Sequence, residues 1–189
     1  MESSTSAKPL IAVSRLAPLL DAYAACHPAE VSDVALFLDF LSSDDAVFRR
    51  SHPPGHFTAS CWLVSGDGRR LLMTHHRKLD RWLQLGGHCD GDSDVRRAAL
   101  REAEEESGLS GLCVEDELFD IDRHRIPARG SEPEHWHYDL RFVVHADGNE
   151  AFVVSDESHD LAWRDIAGLL DADDTEPSIR RMAGKWLAR

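Results

Sequence analysis

The stretch Leu85-Gly86-Gly87-His88-Cys89-Asp90-Gly91-Asp92-Ser93-Asp94, running through Val95 to Leu100 into Arg101-Glu102-Ala103-Glu104-Glu105-Glu106-Ser107-Gly108-Leu109, decides the fold. A glycine-bearing acidic turn leads from an apolar segment straight into a helix. The glycines can take up positive φ and let a ligand approach the backbone, and Asp92, Ser93 or Asp94 can supply the N-cap. Val95, Ala98, Ala99 and Leu100 form an apolar stripe, and Gly108 ends the helix. Helical spacing then puts Glu102, Glu105 and Glu106 on one face. Like charges at these spacings weaken an isolated helix by about 0.2–0.5 kcal/mol per pair, so a neutralising divalent cation accounts for them economically. The plain alternative is a solvated acidic face, and the order of turn, cap, carboxylates and terminal glycine argues against it. Glu104 is rotated well away from the Glu102–Glu106 line and reads as an ordinary solvated residue.

The segment Gly87 to Leu109 resembles the signature of the Nudix hydrolases, Gly, five residues, Glu, seven residues, Arg-Glu-apolar-x-Glu-Glu-x-Gly-apolar. Gly87, Arg101, Glu102, Ala103, Glu105, Glu106, Gly108 and Leu109 fall in register. Ser93 stands where the family has its first glutamate, and Asp92 or Asp94 is the residue available to replace it. The resemblance implies an α/β/α sandwich with a mixed sheet. It also implies hydrolysis, by water attack on phosphorus, of a diphosphate linkage in a nucleoside diphosphate joined to another moiety, with Mg²⁺ or Mn²⁺ as cofactor. Carried over position by position, Glu102, Glu105, Glu106 and the Gly87 carbonyl would be metal ligands, with Arg101 orienting the carboxylates. Hard cations take oxygen ligands, so the residue types suit the role. Glu157 is a second candidate carboxylate, since several family members keep a glutamate ahead of a similar apolar-Ala-Trp segment. Arg77 and Lys78 are candidate phosphate contacts. The competing reading is a Nudix-fold nucleotide-binding or regulatory module whose altered loop supports little turnover.

Length and composition bound the rest. A chain of 189 residues with 42% hydrophobic content supports one ample core with a small appendage. Its net charge of −13 argues against a nucleic-acid polymer or an anionic membrane surface as partner and leaves a small-molecule substrate. The four cysteines show no paired spacing, and no signal peptide or long apolar run is read, so a reduced cytoplasmic setting is expected. His88 and Cys89 are adjacent and make a poor tetrahedral zinc set. His135 and His137 can share a strand face, where they either contact a substrate or, the more expected role, face solvent at a sheet edge. Trp82 reads as core, and Arg123 to Arg129 as a basic loop able to meet an anionic substrate.

Residues 1–52 read as an N-terminal helical extension and residues 53–189 as the Nudix domain. Leu10, Ile11, Val13, Leu16, Leu19, Leu20 and Tyr23 recur with helical periodicity. Pro28 breaks that helix and Ser32 offers a cap to a second, which is apolar enough to meet protein on both sides. This hairpin could cover the catalytic domain, shape the pocket or form a homodimer contact. Strands are expected at His56–Ser65, Arg70–His75, Trp82–Leu85, Leu112–Ile126, Trp136–His145 and Phe152–Val154, with Gly66-Asp67-Gly68 as a hairpin turn. Ser155–Trp163 reads as turn-rich, followed by a short helix around Asp165–Leu170 and a final helix over Ser178–Ala188.

Overall fold

A computed structural model describes residues 9–156 and 158–189. The chain runs α1 (Pro9–Cys26), α2 (Val31–Leu41), β1 (Gly55–Ser65), β2 (Arg70–His76), β3 (Arg81–Leu83), β4 (Leu85–His88), α3 (Val95–Ser107), β5 (Cys113–Ile126), β6 (His135–Ala146), β7 (Ser158–Asp165) and α4 (Pro177–Leu187). Short 3₁₀ turns occupy Pro28–Glu30 and Ala167–Leu170. The polar start at residues 1–8 and the role of Glu157 lie outside the described residues.

β1 organises the sheet. All eleven of its residues are buried. It lies parallel to β6 along its full length and antiparallel to β4 and β2 on its other side. β5 pairs with β6, while β3 and β7 pair with β2, so the sheet is mixed. A strand buried on both faces needs cover on both. Phe57, Ala59, Tyr138, Leu140 and Phe142 pack with Val95, Ala98 and Ala99 of α3 and with Leu16, Leu20 and Phe37 of the N-terminal hairpin. Trp62, Val64 and Val143 pack on the opposite side with Ile179, Met182 and Ala183 of α4. The expected α/β/α sandwich results, and the N-terminal hairpin shares a hydrophobic cluster with the sheet.

Several expectations need correction. The Trp82–Leu85 segment divides at Gln84 into β3 and β4, because one half pairs with β2 and the other with β1. Phe152–Val154 is not a strand: Val153 is 65% exposed and its N–H donates to the Ser107 carbonyl, closing the chain over the end of α3. The strand lies instead at Ser158–Asp165, in the stretch read as turns, where Leu161 and Trp163 fall opposite Thr74 and Leu72 of β2. Ser32 does not cap α2. The 3₁₀ turn runs directly into that helix, and Glu30, at the cap position, instead accepts hydrogen bonds from Tyr23 (2.5 Å) and pairs with Lys185 (2.8 Å). Nor is α2 covered all round, since Val31 and Leu36 are exposed while Val34, Phe37, Phe40 and Leu41 are buried.

A buried charge network joins sheet, α4 and hairpin. Arg141 donates to Asp139 (2.7 Å) and Asp120 (3.1 Å), with both aspartates almost fully buried. Asp120 also accepts from Arg181 (2.7 Å) and Lys185 (2.7 Å), and Lys185 reaches Tyr23 and Glu30. Removing one member leaves buried charge uncompensated, which costs about 3–5 kcal/mol. Arg141→Met is therefore expected to lower unfolding free energy by about that amount, read from the midpoint of urea denaturation followed by circular dichroism.

Candidate functional site

The start of α3 is built by two aspartates. Asp94 holds the N-cap, its carboxylate accepting from the Arg97 N–H at 3.2 Å. Asp92 accepts from the Asp94 N–H at 2.9 Å and takes the Arg97 guanidinium on both oxygens at 2.6 and 2.8 Å. Burial pushes the Asp92 carboxyl up, but Arg97 and the Asp94 N–H outweigh it and hold it below its ordinary value. The two residues considered as replacements for the missing first glutamate thus both serve the helix start. The helix ends as expected at Gly108, which takes the left-handed conformation at φ 68° and returns its N–H to the Glu104 carbonyl.

The glycine loop packs against the middle of α3. Gly87 lies opposite Ala59 of β1, on the face that meets α3. A Cβ there would come within 2.7 Å of Glu102 Cδ, so glycine is what lets the Glu102 carboxylate settle against the loop. Gly86 is equally constrained: its φ is 155° and a Cβ would meet Ser60 Cα at 2.6 Å. Arg101 ties loop to helix, donating to the His88 carbonyl (2.8 Å) and to Glu102 (2.9 Å), with Glu105 at 3.9 Å. Glu102 is half-buried and Glu106 buried, while Glu104 and Glu105 are exposed, Glu105 lying on the side of Arg101. The Cys61 thiol of β1 is pushed well up by burial and then by the charges of Glu106 and Glu102, which marks both carboxylates as close to the sheet.

The N-terminal extension braces this loop from outside. Arg50 clamps Asp90 with two bonds of 2.7 and 2.8 Å, and Gly91 donates its N–H to the Phe48 carbonyl at 2.7 Å. The remaining candidates are more scattered. Arg77 is exposed and donates to the Ser158 carbonyl at 3.0 Å, and Lys78 is exposed beside it. Trp82 is partly buried against the α4-side core and stacks on His75. Arg123 to Ile126 belong to β5 and not to a loop. Arg123 lies 4.1 Å over the Trp136 ring, and Arg125 pairs with Glu134, so neither guanidinium is a free charge.

Histidines provide the largest departure from expectation. Side chains alternate along a strand, so His88, opposite Thr58, points away from α3, while Cys89 is fully buried in the α3-side core. The two do not act together. His88 instead meets His56 of β1 (ring centroids 5.0 Å apart) and His137 of β6 (5.4 Å). His135 is 6% exposed and not solvent-facing, with its Nε2 3.2 Å from that of His137. Burial, followed by the neighbouring His88 and His135 rings, pushes the His56 pKa down to about 3; burial and then His56 likewise lower His137. The partners come from three strands distant in sequence, so spacing carried no signal of the cluster.

Fold and site together define an α/β/α sandwich whose acidic helix is locked to a glycine loop. The NUDIX domain model matches residues 54–184, and the chain belongs to the Nudix hydrolase superfamily. Among solved structures, a Caenorhabditis elegans Ap4A hydrolase binary complex is similar at 17% identity and TM-score 0.56, over 70% of this chain and 95% of that one. The Escherichia coli dihydroneopterin triphosphate pyrophosphohydrolase gives 17% and 0.55 over 70% and 94%. The MutT protein of Methanosarcina mazei Go1 gives 14% and 0.52 over 70% and 92%. At these identities the likeness is one of fold. No curated protein matches the sequence.

Because α3 carries the acidic set, its cap matters beyond local stability. Loss of an Asp N-cap costs about 0.5–2 kcal/mol. Asp94→Ala is expected to reduce unfolding free energy within that range, whereas Asp94→Asn keeps most of it, as read from paired urea denaturation curves.

Proposed function

We propose that the chain is a metal-dependent pyrophosphohydrolase that cleaves the diphosphate linkage of a nucleoside diphosphate joined to another group, with Mg²⁺ or Mn²⁺. The observation that carries this reading is Arg101 bonded at once to the His88 carbonyl and to Glu102, beside a Gly87 whose missing side chain makes room for the carboxylate. That cradle, with Glu105 and Glu106 on the same helix, offers oxygen donors only, the chemistry that hard divalent cations prefer. In this reading Glu102, Glu105, Glu106 and the Gly87 carbonyl hold the metal. When bound, such a cation neutralises charge developing on the pyrophosphate oxygens and lowers the pKa of a coordinated water.

The chain's own groups do the rest. Arg101 fixes the Glu102 carboxylate against the loop, so the donor set is organised before substrate arrives. One carboxylate accepts the proton of the attacking water as general base, and Glu157, which immediately precedes the Arg77-bonded Ser158 in sequence, remains in the proposal as a second candidate for that task. Arg77 and Lys78, exposed on the turn after β2, would receive substrate phosphates. We assign residues 1–52 as an extension that supports the glycine loop and residues 53–189 as the catalytic domain, acting in the cytoplasm on a small-molecule substrate. Among the described residues no helix is long and apolar enough to cross a membrane.

The test is a screen of nucleotide sugars, ADP-ribose, dinucleoside polyphosphates, dinucleotides and nucleoside triphosphates for phosphate-ester products, with Mg²⁺ and with Mn²⁺. Turnover of at least one substrate, abolished by chelator, is expected, and tight binding without turnover across the panel would favour the non-catalytic module. On the best substrate, Glu105→Gln and Glu106→Gln should each lower kcat by about 10²-fold or more, while Glu104→Gln changes it less than about threefold. Equal losses in all three variants would contradict the assignment of the metal-facing side of α3.

A further inference from the structure

On the face of the sheet turned away from α3, His56, His88 and His137 bring one ring nitrogen each to within 4.8 Å of one another. They come from β1, β4 and β6, where the register places His56 directly beside His137. His56 is 1% exposed, and both of its ring nitrogens are buried without a hydrogen-bond partner among the described residues. A buried imidazole with nothing to bond is a costly element unless something outside the chain occupies the space it faces. Its neighbours are other imidazoles, so what would satisfy it is an electron-pair acceptor.

We propose that His56, His88 and His137 form a binding site for one borderline divalent transition-metal ion of the zinc type, separate from the carboxylate site on α3. Neutral imidazole suits such ions and is a poor ligand for Mg²⁺. Burial, the largest cause, lowers the pKa of His56 and of His137 and favours their neutral form, the form that ligates. Four-coordinate zinc with Zn–N bonds of about 2.0–2.1 Å spaces its ligand nitrogens by about 3.3 Å, so the proposal requires the three rings to draw together from their present spread of up to 4.8 Å. His135 stands beside this set, its Nε2 hydrogen-bonded to His137 Nε2 at 3.2 Å. His135 Nδ1 donates to the Pro133 carbonyl at 2.9 Å, so its Nε2 accepts from His137 Nε2, and the lone pair of the neutral His137 ring is then on Nδ1. Glu132, 3.9 Å from His135, provides nearby negative charge. Three protein nitrogens leave a fourth position for water or a ligand oxygen.

The placement has a consequence for the loop. His88 follows Gly87 directly, and its carbonyl holds Arg101, so an ion on the His88 ring would pin the same residue that anchors the acidic helix. The test is a titration of chelator-stripped full-length chain with Co²⁺ in the presence of excess Mg²⁺, which occupies oxygen sites. Uptake of one equivalent with the strong visible absorption of tetrahedral nitrogen-bound Co²⁺ is expected, with affinity reduced at least tenfold in His88→Asn and His137→Asn. Absence of that absorption, or its persistence at unchanged affinity in both variants while circular dichroism shows them folded, would overturn the proposal. Should a variant fail to fold, ¹⁵N spectra of wild-type histidine rings on adding Zn²⁺ decide. Shifts at His56, His88 and His137 support the site, and shifts confined to other residues or none overturn it.

Discussion

The site depends on one guanidinium. Arg101 spans the join between β4 and α3 by holding a loop carbonyl and a helix carboxylate with the same nitrogen. A carboxylate on a helix is free to rotate among several staggered positions, and in water it would. Bonded to Arg101 and seated over a glycine, Glu102 has few of them left, and the loss of freedom is met during folding and not when a ligand arrives. Everything upstream serves that junction: two glycines where side chains would collide with Ser60 or Glu102, two aspartates that start the helix, and an arginine from the N-terminal extension on Asp90.

The sheet separates two chemistries by strand alternation alone. Odd-numbered residues of β1 face α3 and the hairpin through Phe57, Ala59 and Cys61, and even-numbered ones face the other layer through His56, Thr58, Ser60 and Trp62. The second face is graded along its length, from the imidazole cluster through Asp139, Arg141 and Asp120 to the apolar packing of α4. Polar groups buried this deeply are tolerated because each finds a partner: Thr58 and Ser60 both donate to Asp139, and Arg141 answers Asp139 and Asp120. Among the described residues, the two ring nitrogens of His56 and the indole nitrogen of Trp62 are the groups of that face without such an answer.

Much of the architecture was legible because local chemistry and tertiary environment agree. The acidic helix shows its cap, stripe and terminal glycine within fifteen residues, and the Gly66-Asp67-Gly68 turn marks a hairpin without ambiguity. Where contacts between distant segments decide, the pattern fails. Ser158–Asp165 carries Asp160 and His159 among its apolar residues and becomes a strand only through β2, while Phe152–Val154 has the residue types of a strand but bonds through Val153 to the end of α3. Glu30 is drawn from capping by Tyr23 and Lys185, the latter more than 150 residues away in sequence. The histidine cluster belongs to this second kind. His56, His88 and His137 are unremarkable one by one, and only the parallel alignment of β1 with β6 and the antiparallel alignment with β4 bring them together.

The central claim is that α3 and the glycine loop are an oxygen-donor cradle for a divalent cation. Isothermal calorimetry with Mn²⁺, on full-length chain and on Arg101→Gln, tests it most directly, because Arg101 is the group that organises the cradle without itself being a donor to metal. The account predicts Mn²⁺ uptake by the native chain, tightened by a diphosphate ligand, and at least about tenfold weaker in the variant. No uptake by the native chain with or without the diphosphate, or equal affinity in the two proteins, would contradict it.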